Sequence, residues 1–135
     1  MSGEKNMNKL VNEMSPKLND GDYVFVTQKN LDNIDRKDTV CEFKEDEGTT
    51  IIIEQKKADH LNLHYQFIAS WITLTIHSSL ESVGLTAAFS NELAKYNISC
   101  NVIAGYYHDH IFVNKEDTNK AMEVLTSLSQ NFEGL

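Results

Sequence analysis

Long apolar runs are absent from this chain. No stretch approaches the roughly 20 residues a helix needs to cross a bilayer, and the opening MSGEKNMNKLVNEMSP has no signal-peptide core. A cytoplasmic location is expected, and no membrane partner. Cysteine is scarce too: Cys41 and Cys100 stand alone, without CxxC spacing. That excludes a disulfide framework and a zinc knuckle, suits a reducing compartment, and leaves both thiols to be read as small core residues. Basic charge is short as well, with 12 Lys and Arg against 20 Asp and Glu, a net charge of −8, and no Lys/Arg-rich stripe. Nucleic acids are gripped first through their phosphates, so no nucleic-acid partner is expected.

What is present is the composition of a folded body, with 41% hydrophobic and 24% charged residues over 135 positions. Such a length holds one core, or two small units that share one. The chain opens on a short amphipathic stretch in which Leu10, Val11, Met14 and Leu18 fall near one helical face until Pro16 and NDGD break it. It reads as a cap or strap. YVFVT (23–27) reads as a strand, LDNIDR as a turn of helix, CEF and TTIII (49–53) as two strands joined at EDEG, where Gly48 is available for a positive φ. A polar segment, KKADHLNL, precedes a long extended run that ends in ITLTI, with Ile72, Leu74 and Ile76 alternating with Thr73 and Thr75.

From Leu85 the period changes to that of a helix, with Leu85, Ala88, Phe89, Leu93 and Tyr96 in one stripe and Asn97 as a left-handed terminator. Residues 98–104 form the next strand, and HIFV answers it across GYYHD. Asn114, with Asp117 three positions on, resembles a helix start, and Ala121, Val124, Leu125, Leu128 and Phe132 line the apolar face that follows. Strand and helix thus follow a similar order in both halves. The fold class expected is α+β, ferredoxin-like and duplicated, with helices covering one face of an antiparallel sheet.

Candidate chemistry concentrates in two places. In GYYHDHIFV (105–113), His108 and His110 point to one side of an extended chain and Asp109 to the other. A metal site recruiting His77, an acid/base pair, and a hydrogen-bonded hairpin all use such residues, but a metal needs further ligands, and the hairpin is the favoured reading. Nucleophilic catalysis by Cys100 or Ser78 with a histidine is less favoured, since Cys100 lies on an apolar face and Ser78 with Glu81 has capping-box spacing. The acidic run from Glu42 to Glu47 has no EF-hand spacing and reads as a solvated turn. Trp71, Tyr106 and Tyr107 read as core or interface aromatics, with a ligand wall as the other option.

The second place is HSSLESVGL, which joins a strand to a helix and so aims free N–H groups and the positive helix end at one spot. An amino-acid carboxylate fits there, Gly84 permits close backbone approach, and Glu81 or Asn101 can meet an ammonium.

The segment from TLTIHSSLESVGL through NISCNVIAGYYHDHIFV to AMEVLTSL resembles the ACT domain, and LVNEMSPKLNDGDYVFVT with EDEGTTIII resembles short stand-alone tandem ACT proteins. The resemblance implies an N-terminal strap at 1–19, a shortened ACT-like unit at 20–66 and an ACT domain at 67–135. It implies a non-enzymatic regulatory sensor, with no cofactor, that binds a small molecule, an amino acid first among them. The implied contacts are His77, Ser78, Ser79, Glu81, Val83, Gly84, Leu85, Asn101 and Ile103. The last helix has no strand after it, so the missing strand comes from the other half or a partner chain, and a homodimer is expected. A ligand-free module pairing through sheet edges is the alternative.

Overall fold

The computed structural model describes residues 7–75 and 84–131, in which strands and helices alternate. Contacts divide the chain into two compact units, one formed by Asp20–Ser70 and the other by the described parts of Met1–Asn19 and Trp71–Leu135.

In the unit Asp20–Ser70, strand β2 (Tyr23–Gln28) is followed by a 3-10 turn (Arg36–Asp38), strands β3 (Thr39–Glu45) and β4 (Gly48–Glu54), helix α2 (Gln55–His60) and the start of β5 (Ile68–Leu74). Strand β4 lies antiparallel between β3 and β2, and Tyr23 and Val24 pair with Ala69 and Ile68. Three consecutive isoleucines make β4 apolar on both faces. Ile51 and Ile53 join Val24, Val26, Ile34 and Ala58 in one cluster, while Ile52, directly across from Phe25, is buried on the other face. The β3–β4 connection closes at Glu45 and Gly48. Glycine is needed there for space as well as conformation: φ is +156°, and a Cβ would stand 2.8 Å from Thr27 Oγ1.

The polar segment KKADHLNL is in part helical, because Ala58 gives α2 a buried anchor and Asn62, at φ +56°, turns the chain out of it. The acidic turn is tied down by basic groups. Arg36 pairs with Glu42, and Lys29 Nζ donates to Glu47 O at 2.6 Å.

In the other unit, helix α1 (Met7–Glu13) leads into strand β1 (Pro16–Leu18), which lies antiparallel to the end of β5 with Pro16 opposite Leu74 and Leu18 opposite Ile72. The opening stretch is therefore not one helical face. Proline has no N–H to continue a helix but fits the first position of a strand, and beyond it Leu18 is largely exposed. Val11 and Met14 are buried in the main cluster; the side chain of Leu10 lies outside the described residues.

Helix α3 (Leu85–Lys95) buries Leu85, Ala88, Phe89 and Leu93, as its period requires. It ends in a Schellman motif: Asn97, at φ +60°, donates its N–H to Ala94 O at 3.0 Å, and Ile98 N–H reaches Leu93 O at 3.1 Å. The expected strand 98–104 forms ladder bonds only as β6 (Asn101–Ala104), antiparallel to β7 (Asp109–Asn114). Strand β7 neighbours β5. The last helix, α4 (Thr118–Asn131), starts later than Asn114. That residue caps a 3-10 turn instead, its Oδ1 accepting from Glu116 N–H at 2.9 Å. Ala121, Val124 and Leu125 carry the buried face of α4, while Phe132 and Ile76 lie outside the described residues. No helix among the described residues is long and apolar enough to cross a membrane.

Candidate functional site

The strand-to-helix corner of the second unit is described from Gly84 onward; His77, Ser78, Ser79, Glu81 and Val83 lie outside the described residues. Gly84 is the N-cap of α3 and sits in the left-handed region at φ +94°, ψ −15°. Only glycine takes this conformation without strain. Its carbonyl already accepts from Ala88 N–H at 2.9 Å, so the helix starts cleanly, yet Gly84 brings no side chain to cap the first N–H groups and no acidic residue occupies the first turn. Leu85 is buried in the same cluster as Ile111 and Val113, which fixes the helix start against β7.

The hairpin β6–β7 holds the other candidates. Ile103 pairs with His110 and Ala104 with Asp109, so the HDH run opens β7 as a hairpin element. Gly105 N–H donates to His108 O at 2.9 Å and closes the turn; a Cβ on Gly105 would stand 2.9 Å from that same oxygen and 3.2 Å from His110 Nε2. Asn101 is committed in part, since its Nδ2 donates to Phe112 O at 3.3 Å. Tyr106 and Tyr107 are exposed and meet edge to face.

His110 is held by a hydrogen-bond chain that begins outside the hairpin. Trp71 Nε1 donates to His110 Nδ1 at 3.0 Å, and Thr73 Oγ1 lies 3.1 Å from the same nitrogen. Asn19 Nδ2 in turn donates to Thr73 Oγ1 at 2.9 Å and to Trp71 O at 3.2 Å. An indole N–H only donates, so Nδ1 must accept, and the imidazole is the neutral Nε2–H tautomer. The Trp71 ring stacks on Phe112 at 6.1 Å between centroids.

Electrostatics agree with this assignment. Burial, and then the neighbouring His108, lower the pKa of His110, with Asp109 opposing; burial raises the pKa of Asp109 against the pull of both histidines. Burial pushes the Cys100 thiol up to about 11, which makes it a poor nucleophile at neutral pH. Neither cysteine is fully buried, and Cys100 packs against the edge of its unit's core cluster rather than inside it. Among the described residues no three His, Cys, Asp or Glu side chains come together as a metal set.

Trp71→Phe tests the lock. It keeps an aromatic ring against Phe112 and removes the donor to Nδ1, so the His110 titration should move up toward its ordinary value of 6.5, at a cost of about 0.5–1.5 kcal/mol at neutral pH. Because the folded pKa lies below the unfolded one, the contribution of His110 is complete above pH 6.5 and is lost as pH falls through the lowered folded value. The variant should therefore lose less of its stability than the parent on acidification. Imidazole Cε1–H signals followed against pH, with urea midpoints at the two ends, report both; an unmoved titration would refute the lock.

Asn19, Trp71 and Thr73 as partners of His110 were not legible in the sequence, since only alternation marked the β5 run.

The ACT-domain model matches residues 2–70, and a second ACT-domain model matches residues 66–127. A protein of unknown function from Vibrio cholerae, described as a possible transport protein, is 46% identical and superposes with a TM-score of 0.83, covering 93% of this chain and 98% of its own. The aspartate kinase of Clostridium acetobutylicum, described as an allosteric enzyme, is 15% identical at a TM-score of 0.58, over 86% of this chain and 34% of the kinase. Aspartokinase III of E. coli, solved with aspartate and ADP, is 11% identical at 0.53, over 85% of this chain and 32% of the enzyme. These kinases share the fold. Comparison with curated proteins finds no match.

Proposed function

The chain belongs to the ACT-domain family, and from that premise we propose that it is a non-enzymatic sensor that binds a small metabolite, an amino acid, at the corner formed by residues 77–85. ACT domains generally serve regulatory, small-molecule-sensing roles and are typically non-catalytic. The reading takes the chain as two tandem ferredoxin-like units with boundaries at 1–19, 20–66 and 67–135, located in the cytoplasm. The observation that carries it is the start of α3, where the N-cap is Gly84 and no side chain among the described residues caps the first-turn N–H groups. A ligand carboxylate is the natural partner for such donors. Ile103, half-buried on β6, offers apolar contact, Asn101 keeps its Oδ1 for an ammonium, and Asp109 holds a negative charge that burial disfavours unless a cation meets it.

The experiment is a thermal-shift screen across the amino acids. A ligand that binds only the folded state stabilises it by about 2.7 kcal/mol at a hundred times its Kd. No shift from any amino acid at millimolar concentration would sink the reading.

The second reading is association through a sheet edge, which would make the protein a homodimer with or without a ligand. Its support is β3, which among the described residues pairs only with β4 and carries Phe43 at 68% exposure. Light scattering at micromolar concentration should give twice the chain mass, and Phe43→Glu should return it to a monomer. A monomeric parent protein removes this reading.

A further inference from the structure

The unit Asp20–Ser70 contains a cleft of about 340 Å³ whose walls come from the two ends of the loop chemistry around β2 and α2. That volume is at the lower end of the range for small-ligand pockets. Its polar lining residues are Gln28, Asn30, Asn33, Asn62 and His64, four of them with carboxamide side chains. Ile34, Leu61 and Leu63 supply the apolar part, and all three belong to or pack on the cluster under β4. Among the described residues no carboxylate, ammonium or guanidinium lines the cleft.

Each carboxamide brings both donors and an acceptor, and local bonds use only part of that capacity. Gln28 Nε2 spends one of its two N–H donors on Thr27 O at 2.9 Å, so the group left wholly uncommitted is the acceptor Oε1. Asn30 Oδ1 spends one of its two lone pairs on Asp32 N–H at 3.1 Å, so the group left wholly uncommitted is the donor Nδ2. The β2–β3 connection on one side contains only a three-residue 3-10 turn, and Asn62, at φ +56°, turns the chain on the other.

We propose that this cleft binds a small uncharged amide edge, a donor next to an acceptor on a compact apolar body, with Gln28 accepting from the ligand and Asn30 donating to it. Two sources carry that chemistry, a nucleobase and a carboxamide side chain. The site goes beyond the amino-acid reading and does not depend on it, since it uses none of the residues at the 77–85 corner. The lining offers a carboxylate or ammonium no carboxylate, ammonium or guanidinium as counter-charge, so charged probes are expected to bind more weakly than the uncharged edge.

The test uses the full ¹⁵N-labelled chain and follows the side-chain NH2 signals of Gln28, Asn30, Asn33 and Asn62. Uridine, 3-methyluridine, propionamide and glutamine are the probes, with aspartate and lysine as charged controls, each to about 10 mM because single small edges bind near the millimolar range. Movement with uridine identifies the nucleobase source, movement with propionamide and glutamine the carboxamide source, and either supports the site. 3-Methyluridine, which has lost the edge donor, should bind at least about tenfold more weakly than uridine, or about 1.4 kcal/mol. Asn30→Asp keeps the acceptor for Asp32 and replaces the donor with an anionic oxygen, so it should weaken the effective probe by a similar factor. Unmoved NH2 signals with all uncharged probes, equal binding of uridine and its methylated form, equal binding by the folded variant, or stronger binding of the charged controls would each overturn the proposal. The uridine pair, read on the unaltered protein, decides the nucleobase case even if the variant does not fold; propionamide against the charged controls decides the other.

Discussion

A chain that starts at Asn19 is expected to lose the cooperative folding of its larger unit. Val11 and Met14, 1% and 3% exposed, sit in the cluster with Ile72, Leu74, Phe89 and Leu125. Removing two such side chains from the core forfeits about 1.5–3 kcal/mol each in transfer free energy, before any cavity cost. The same truncation strips β1 from β5 and deletes the bonds from Thr75 N–H to Ser15 O at 2.9 Å and from Ser129 Oγ to Met14 O at 2.5 Å. The sum is comparable with the whole 5–15 kcal/mol of a typical domain. Trp71 belongs to this unit, so its fluorescence reports unfolding there. Urea titration of the intact and shortened chains should show a transition in the first and a sloping, non-cooperative signal in the second. A shortened chain with an unchanged midpoint would mean that the first eighteen residues are a detachable strap.

The second expected result concerns Gly84→Asp. With φ at +94°, any side chain is strained there by about 1 kcal/mol, though aspartate is among the residues that tolerate the region best and gains from the helix dipole. Resting stability should change little. The response to ligand should vanish, because the new carboxylate occupies the N–H groups a ligand carboxylate would use and repels it besides. In a thermal-shift titration the parent rises with its ligand and the variant stays flat, which removes about 2.7 kcal/mol of stabilisation at a hundred times the parent Kd. Gly84→Asn, nearly the same size but uncharged, separates charge from bulk and should weaken binding less. A Gly84→Asp protein that still shifts as the parent does would place the ligand elsewhere.

The segments that can be read without coordinates are those whose signal is local. Helix α3 announces itself because a 3.6-residue period over eleven residues leaves one consistent apolar face, and its end follows from Asn97, whose tolerance of positive φ belongs to the side chain itself. Strands β2 and β4 are visible for a similar reason, in β-branched and aromatic runs bounded by turn residues. Strand β1 has no such signal: three residues that begin with a proline cannot show a period, and they are a strand only because β5 supplies the ladder, with Pro16 opposite Leu74. The late start of α4 is equally contextual, since the Asn114 side chain caps a 3-10 turn as well as it would cap an α-helix.

The HDH run shows where local reading stops. Its residue types allow a metal ligand, a base or a hairpin, and the types alone cannot choose. What the run also cannot show is the tautomer of His110, which is set by Trp71 and Thr73, 39 and 37 positions away, beside Nδ1. The carboxamide cleft is of the same kind, with residues 28–34 and 61–64 on its two sides and no pattern in either segment to mark the meeting. Amphipathic period, turn preference and charge are properties of a short stretch and survive in the bare sequence. Tautomer, cavity and ladder partner are properties of pairs brought together by packing, and only the tertiary structure decides them.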